Sequence, residues 1–114
     1  MADLIWQRED YIGENIDLIA TLWRFEESED FRYNLKYKIQ ATDYAQDGKT
    51  ILRYDNANDA HGSRHHKHLE DDSLTEPIQD PFQDVDPENT EEVIKAIEKL
   101  WSKFKQEVKQ KHED

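Results

Sequence analysis

The sequence predicts a single α+β domain: an antiparallel β-meander of four to five strands with a C-terminal helix packed on one face. Three observations carry this. Residues 31–41 alternate apolar and polar side chains, the period of a half-buried strand. Gly13-Glu14-Asn15 and Asp47-Gly48 are hairpin turn signals between apolar runs. Val93, Ile94, Ile97, Leu100, Trp101, Phe104 and Val108 form one apolar stripe at helical spacing. At 114 residues the chain accommodates one core.

The elements follow in order. Leu4 to Tyr11 and Ile16 to Phe25 read as a hairpin, although IDLIATLWRF also accommodates a helical turn or two. Phe31, Tyr33, Leu35, Tyr37, Ile39 and Ala41 bury one face of the next strand. Arg32, Asn34, Lys36, Lys38 and Gln40 wet the other, with three positive charges. Thr50 to Asp55 follows, with Leu52 and Tyr54 on one face and Ile51, Arg53 and Asp55 on the other. Asn56 to Ser63 reads as a loop and His65 to Leu69 as a last short strand, so that 1–69 is mainly sheet. Residues 70–86 read as an acidic linker, where Pro77 and Pro81 argue against regular structure. The helix occupies 87–112. It starts at Asp86-Pro87-Glu88 or at Asn89-Thr90-Glu91-Glu92, either of which caps free N–H groups and places carboxylates in the first turn. Lys95, Lys99, Lys103 and Lys105 stay on its polar side.

Charge narrows the function. The net charge of −12 excludes a generally basic nucleic-acid coat protein. Residues 32–68, however, carry seven basic and four acidic groups, and hold His61, His65, His66 and His68. A phosphate meets no net repulsion there. Glu70 to Glu92 contains ten acidic residues and no Lys or Arg, which reads as a solvated stretch or, less simply, as a docking surface for a basic partner. With no cysteine there is no disulfide, thiolate metal site or thiol nucleophile. No apolar run is long enough to span a membrane, and the first residues lack a secretory pattern, so a cytoplasmic protein is expected.

The chemistry concentrates in Arg53-Tyr54-Asp55-Asn56 and His65-His66-Lys67-His68. On strands, Arg53 and Asp55 share a face, and so do His66 and His68. Sequence does not fix the register that makes the two faces coincide. If they coincide, a guanidinium, a carboxylate and two imidazoles meet. That set suits metal-independent phosphodiester cleavage, with His66 and His68 as acid and base, Arg53 neutralising charge on the phosphate and Asp55 orienting a ring. Arg64, Lys67 and His65 would add contacts to the substrate. Tyr54 and Asn56 are the nearest further candidates, although Tyr54 suits the core and Asn56 suits the turn. Two other readings stay open. His66, His68 and Asp55 form a ligand set for zinc or another divalent metal, as in a metal-dependent hydrolase or phosphotransferase. Alternatively, Arg53–Asp55 is a surface ion pair beside a solvated histidine cluster of an interaction protein without enzymatic activity.

Ile51-Leu52-Arg53-Tyr54-Asp55-Asn56 followed by His66-Lys67-His68-Leu69 resembles the signature of the TumE-like family. These are small toxin components of prokaryotic type II toxin–antitoxin pairs. Leu22-Trp23-Arg24-Phe25 and the Tyr33 to Lys38 strand fit as well, and the likeness covers roughly residues 4–104. The loop from Ala57 to Ser63 departs from the G-K-G-D type common there, and the segment after His68 is longer and more acidic. The resemblance implies a growth-inhibiting toxin partnered by a helix-turn-helix antitoxin. Joined to the side chains above, it points to a ribonuclease acting on RNA. The sheet face left uncovered by the helix is the place for the antitoxin, or for a second copy of the chain in a homodimer.

Overall fold

A computed structural model describes residues 2–26, 34–56, 65–69 and 74–112. Six strands form one antiparallel sheet in chain order: β1 (Ala2–Ile12), β2 (Ile16–Phe25), β3 (Leu35–Asp43), β4 (Lys49–Asp55), β5 (His66–Leu69) and β6 (Leu74–Pro77). The helix α1 (Thr90–His112) follows.

The turns explain the meander. Gly13 adopts φ +64°, which lets the β1–β2 hairpin close tightly. The β3–β4 connection is longer than a two-residue hairpin. Asp43 Oδ1 accepts from Ala45 N at 2.9 Å and nucleates a single 3₁₀ turn, Tyr44–Gln46. Asp47 (φ +59°) and Gly48 (φ +75°) then complete the reversal in left-handed geometry. Asn89 caps α1, its Oδ1 accepting from Glu92 N at 3.3 Å. Of the two helix starts the sequence offers, the one at Asn89-Thr90 is realised. Asp86 instead closes the preceding turn through Glu88 N at 3.0 Å.

Two expectations change. The sheet has six strands rather than four to five, because Leu74–Pro77 pairs with β5 inside the segment read as linker. Pro77 ends this strand at the sheet edge, where its missing N–H interrupts no further ladder. The alternation of the sequence groups Ile51 with Arg53 and Asp55, but the pairing steps from Leu52↔Ala41 to Thr50↔Thr42. Ile51 is the extra residue at this irregularity and is buried in the core.

One sheet face and α1 enclose the core. Leu18, Ala20, Leu22, Leu35, Tyr37, Ile39, Leu52 and Tyr54 meet Val93, Ile97, Trp101, Phe104 and Val108, all buried. The Tyr54 and Phe104 rings sit edge to face at 4.9 Å, and Trp6 meets Trp101 at 6.4 Å. A register slip in β1 between Leu4 and Trp6 turns Trp6 into this core. Phe82, also buried, packs edge to face on Tyr37 and ties the acidic segment to the sheet. Among the described residues no helix is long and apolar enough to cross a membrane.

Candidate functional site

The register between β4 and β5 decides the site. Asp55 lies opposite His66, and Arg53 opposite His68. The four side chains therefore point to the same side of the sheet, the side away from α1. His66 Nε2 is 3.0 Å from Asp55 Oδ1, His68 Nε2 is 3.6 Å from Asp55 Oδ2, and Arg53 Nε is 3.0 Å from the same Oδ2. The two imidazoles meet edge to face with centroids 4.6 Å apart. Three nitrogen groups thus converge on one carboxylate.

The cluster is nearly dry. His66 is 1% exposed, His68 7% and Asp55 8%, while the Arg53 side chain retains 23%. At such burial the ion pair is electrostatically far stronger than at a surface, and it also carries the cost of desolvating both partners. The Asp55, His66 and His68 donor atoms all lie within 4.8 Å of one another, as a shared cation requires.

The neighbouring strand continues this face. Lys38 stands opposite Asp55 and Gln40 opposite Arg53. Both belong to the wet side of the alternating strand, so the period-2 pattern was the signal for their place beside the cluster.

The residues grouped around the substrate by sequence part company. Arg64 lies outside the described residues, as does His61. Lys67 and Tyr54 face α1. The Tyr54 hydroxyl donates to the Glu107 carboxylate, and Lys67 Nζ lies 3.2 Å from Glu107 Oε2 and 3.6 Å from Glu76 Oε2. Burial, joined by the Glu107 carboxylate, pushes the Tyr54 hydroxyl well above the ordinary tyrosine range. Burial also works to raise the Glu107 carboxyl, but Tyr54 and Lys67 outweigh it and hold it below the usual range. His65 reaches the Tyr37 hydroxyl with Nδ1 at 3.0 Å and Asp80 Oδ1 with Nε2 at 3.3 Å, stacking on the Tyr37 ring. Burial pushes the Tyr37 hydroxyl up, with Asp55 and Asp80 adding to it. Asn56 is 3% exposed, and its amide accepts from Tyr37 N at 3.0 Å and donates to Leu35 O at 2.7 Å. It extends the β3–β4 ladder past Asp55.

Compared with known families, residues 14–112 match the family model described as Toxin TumE. Neither the curated proteins nor the solved structures yield a match.

Proposed function

Since the chain belongs to the family described as Toxin TumE, over residues 14–112, we propose that it is a toxin that inhibits growth by cleaving RNA at the Arg53–Asp55–His66–His68 cluster. The observation that carries this reading is the convergence of both imidazole Nε2 atoms and the Arg53 guanidinium on the single Asp55 carboxylate. Membership of a toxin family also supports an antitoxin as partner.

The metal-independent reaction runs as an internal transfer. The RNA 2′-oxygen bonds to phosphorus and the bond to the 5′-oxygen breaks. One imidazole of the His66–His68 pair takes the 2′-hydroxyl proton, and the other, as imidazolium, gives a proton to the departing 5′-oxygen. The products are a 2′,3′-cyclic phosphate and a 5′-hydroxyl. Asp55, with its carboxylate 3.0 Å from His66 Nε2 and 3.6 Å from His68 Nε2, steadies the imidazolium form electrostatically. Arg53, the most exposed of the four, offsets charge on the phosphate oxygens.

One observation favours a second version in which Asp55, His66 and His68 hold a divalent metal. One ligand atom from each of Asp55, His66 and His68 lies within 4.8 Å of the others, so these three side chains would hold such an ion. The near-complete burial of His66 suits a ligand better than a proton carrier that must touch substrate. Arg53 then orients the ligating carboxylate from outside. The ion would supply a Lewis acid for the phosphoryl oxygens.

Purified protein incubated with cellular RNA separates the versions. Cleavage in EDTA that leaves cyclic phosphate ends supports the two-histidine reaction. Cleavage only after a first-row metal is added supports the metal centre. Intact RNA under both conditions, from folded protein, removes the ribonuclease reading altogether.

A further inference from the structure

The open sheet face carries a second feature beside the cluster: a groove of about 350 Å³ whose walls include Ile19, Thr21, Trp23, Lys38, Gln40 and Tyr44. Such a volume lies in the range of small-molecule sites. Tyr44 is 60% and Ile19 46% exposed, two large apolar side chains left in contact with solvent. The cross-strand partners fix where the groove ends. Lys38 is paired with Asp55 and Gln40 with Arg53, so its near wall is one strand spacing, about 4.8 Å, from the cluster. Thr21, opposite Lys38, lies one strand further on.

The lining is specific in kind. Two aromatic side chains, an aliphatic one, an amide, two threonine hydroxyls and an ammonium face one space, with the Asp17 carboxylate opposite Thr42 two residues along from Ile19. That is the equipment for a planar heterocycle with polar edges attached to an anion. Lys38, Gln40 and Tyr44, on the groove's β3 side, come from residues 32–68, where basic groups outnumber acidic ones, while its β2 side comes from the acidic first third. We propose that this groove seats one unstacked base of a single-stranded RNA, against Trp23 or Tyr44, and so presents the adjoining phosphodiester to Arg53 and His68. The proposal rests on the ribonuclease reading and adds to it a substrate class: single-stranded rather than duplex RNA. Bases within a duplex are already stacked and cannot enter. Gln40 and Thr21 meet the base edge, and Lys38 meets the phosphate between groove and cluster.

The test measures binding apart from cleavage. Trp6 and Trp101 are 4% and 6% exposed, so the half-buried Trp23 on the open face is the tryptophan that a ligand there would quench. The full chain is titrated, in EDTA, with a mixed-sequence single-stranded oligoribonucleotide carrying 2′-fluoro groups, which lacks the attacking hydroxyl. Saturable quenching is expected, and a blunt duplex of the same sequence should leave the emission unchanged. Tyr44→Ala, at an exposed position, should weaken binding about tenfold. Trp23→Phe should remove the quench while anisotropy of a labelled oligonucleotide still reports binding. No quench from a protein that cleaves unmodified RNA overturns the inference and leaves the ribonuclease reading standing. Quenching without any cleavage of unmodified RNA keeps the base site and removes the ribonuclease. Quenching by the antitoxin or by self-association, with none from the oligonucleotide, makes the face a protein interface and overturns the inference.

Discussion

Asp55 on β4 and His66 on β5 are directly opposed in the antiparallel ladder, with His66 Nε2 3.0 Å from Asp55 Oδ1. The second oxygen of the same carboxylate receives Arg53 Nε at 3.0 Å. Asp55 is therefore the hub of the cluster, and Asp55→Asn keeps its shape while removing its charge. RNA cleavage by this variant should fall about 10²- to 10⁴-fold, the usual contribution of acid–base groups. Breaking a buried pair costs about 3–5 kcal/mol, so cleavage is to be assayed at a temperature where circular dichroism shows the variant folded. A folded Asp55→Asn protein with undiminished cleavage would remove the cluster from the reaction.

Metal addition divides the two versions of the site by stability as well as activity. If Asp55, His66 and His68 are ligands, zinc at a hundred times its dissociation constant adds about 2.7 kcal/mol to folding. For a chain of this size that raises the melting temperature by roughly 10 °C. His68→Ala should abolish the rise. A wild-type melting curve unmoved by zinc, cobalt and manganese sinks the metal version and leaves the two-histidine reaction.

Glu107 sets an acid limit on the fold. Burial opposes its charged form, but the Tyr54 hydroxyl and Lys67 outweigh it and lower the carboxyl below its ordinary value. A lowered folded-state value means that the stabilisation is complete above the unfolded value and is lost as pH falls through the folded one. Glutamate in an unfolded chain titrates near about 4.3, so the loss should develop below that pH. Glu107→Gln should flatten this part of the stability–pH curve. At pH 7 it should cost about 1.5–3 kcal/mol, the scale of a hydrogen bond to a charged group. Urea denaturation at several pH values checks both, and an unchanged acid slope in the variant overturns the assignment.

Much of this arrangement is written in local periodicity. The alternation around Tyr37 and Ile39 and the stripe from Val93 to Val108 each reflect one face turned to the core, and short-range pattern reports that directly. The shared face of Arg53 with Asp55, and of His66 with His68, is likewise a matter of strand period. Non-local facts were not legible. The β4–β5 register that brings the two pairs together depends on the intervening loop. His65 turns toward Tyr37 and Asp80, partners 28 residues before it and 15 after, and no spacing announces that. Strand β6 was hidden because it is four residues long and ends in proline. Phe82 was overlooked as a core residue because its neighbours are acidic and polar, although Ile78 and Val85 on either side pack against the core with it. An aromatic residue flanked by aliphatics three and four positions away was the available signal.

Asn56 gives the sharpest test of how the site is held. Sequence assigned it to a turn, but its side chain acts as one more rung of the β3–β4 ladder, accepting from Tyr37 N and donating to Leu35 O while 3% exposed. Asn56→Ala leaves a buried N–H and a buried C=O without this partner. The cost should be about 2–4 kcal/mol, because a stranded buried group loses its full desolvation energy. Asn56→Asp should cost a similar amount, since it places an oxygen where Leu35 O needs a donor and adds a buried charge. Both variants should shift the urea midpoint with little change in slope, as expected when the folded and unfolded surfaces are otherwise alike. Asn56 follows Asp55 directly and touches none of the reacting groups in the proposed cleavage. Activity per folded molecule should therefore stay near the wild-type value at low temperature. A loss of stability under about 0.5 kcal/mol, the range of ordinary surface substitutions, would mean that Asn56 does not secure the end of β4, and another anchor for Asp55 would have to be found.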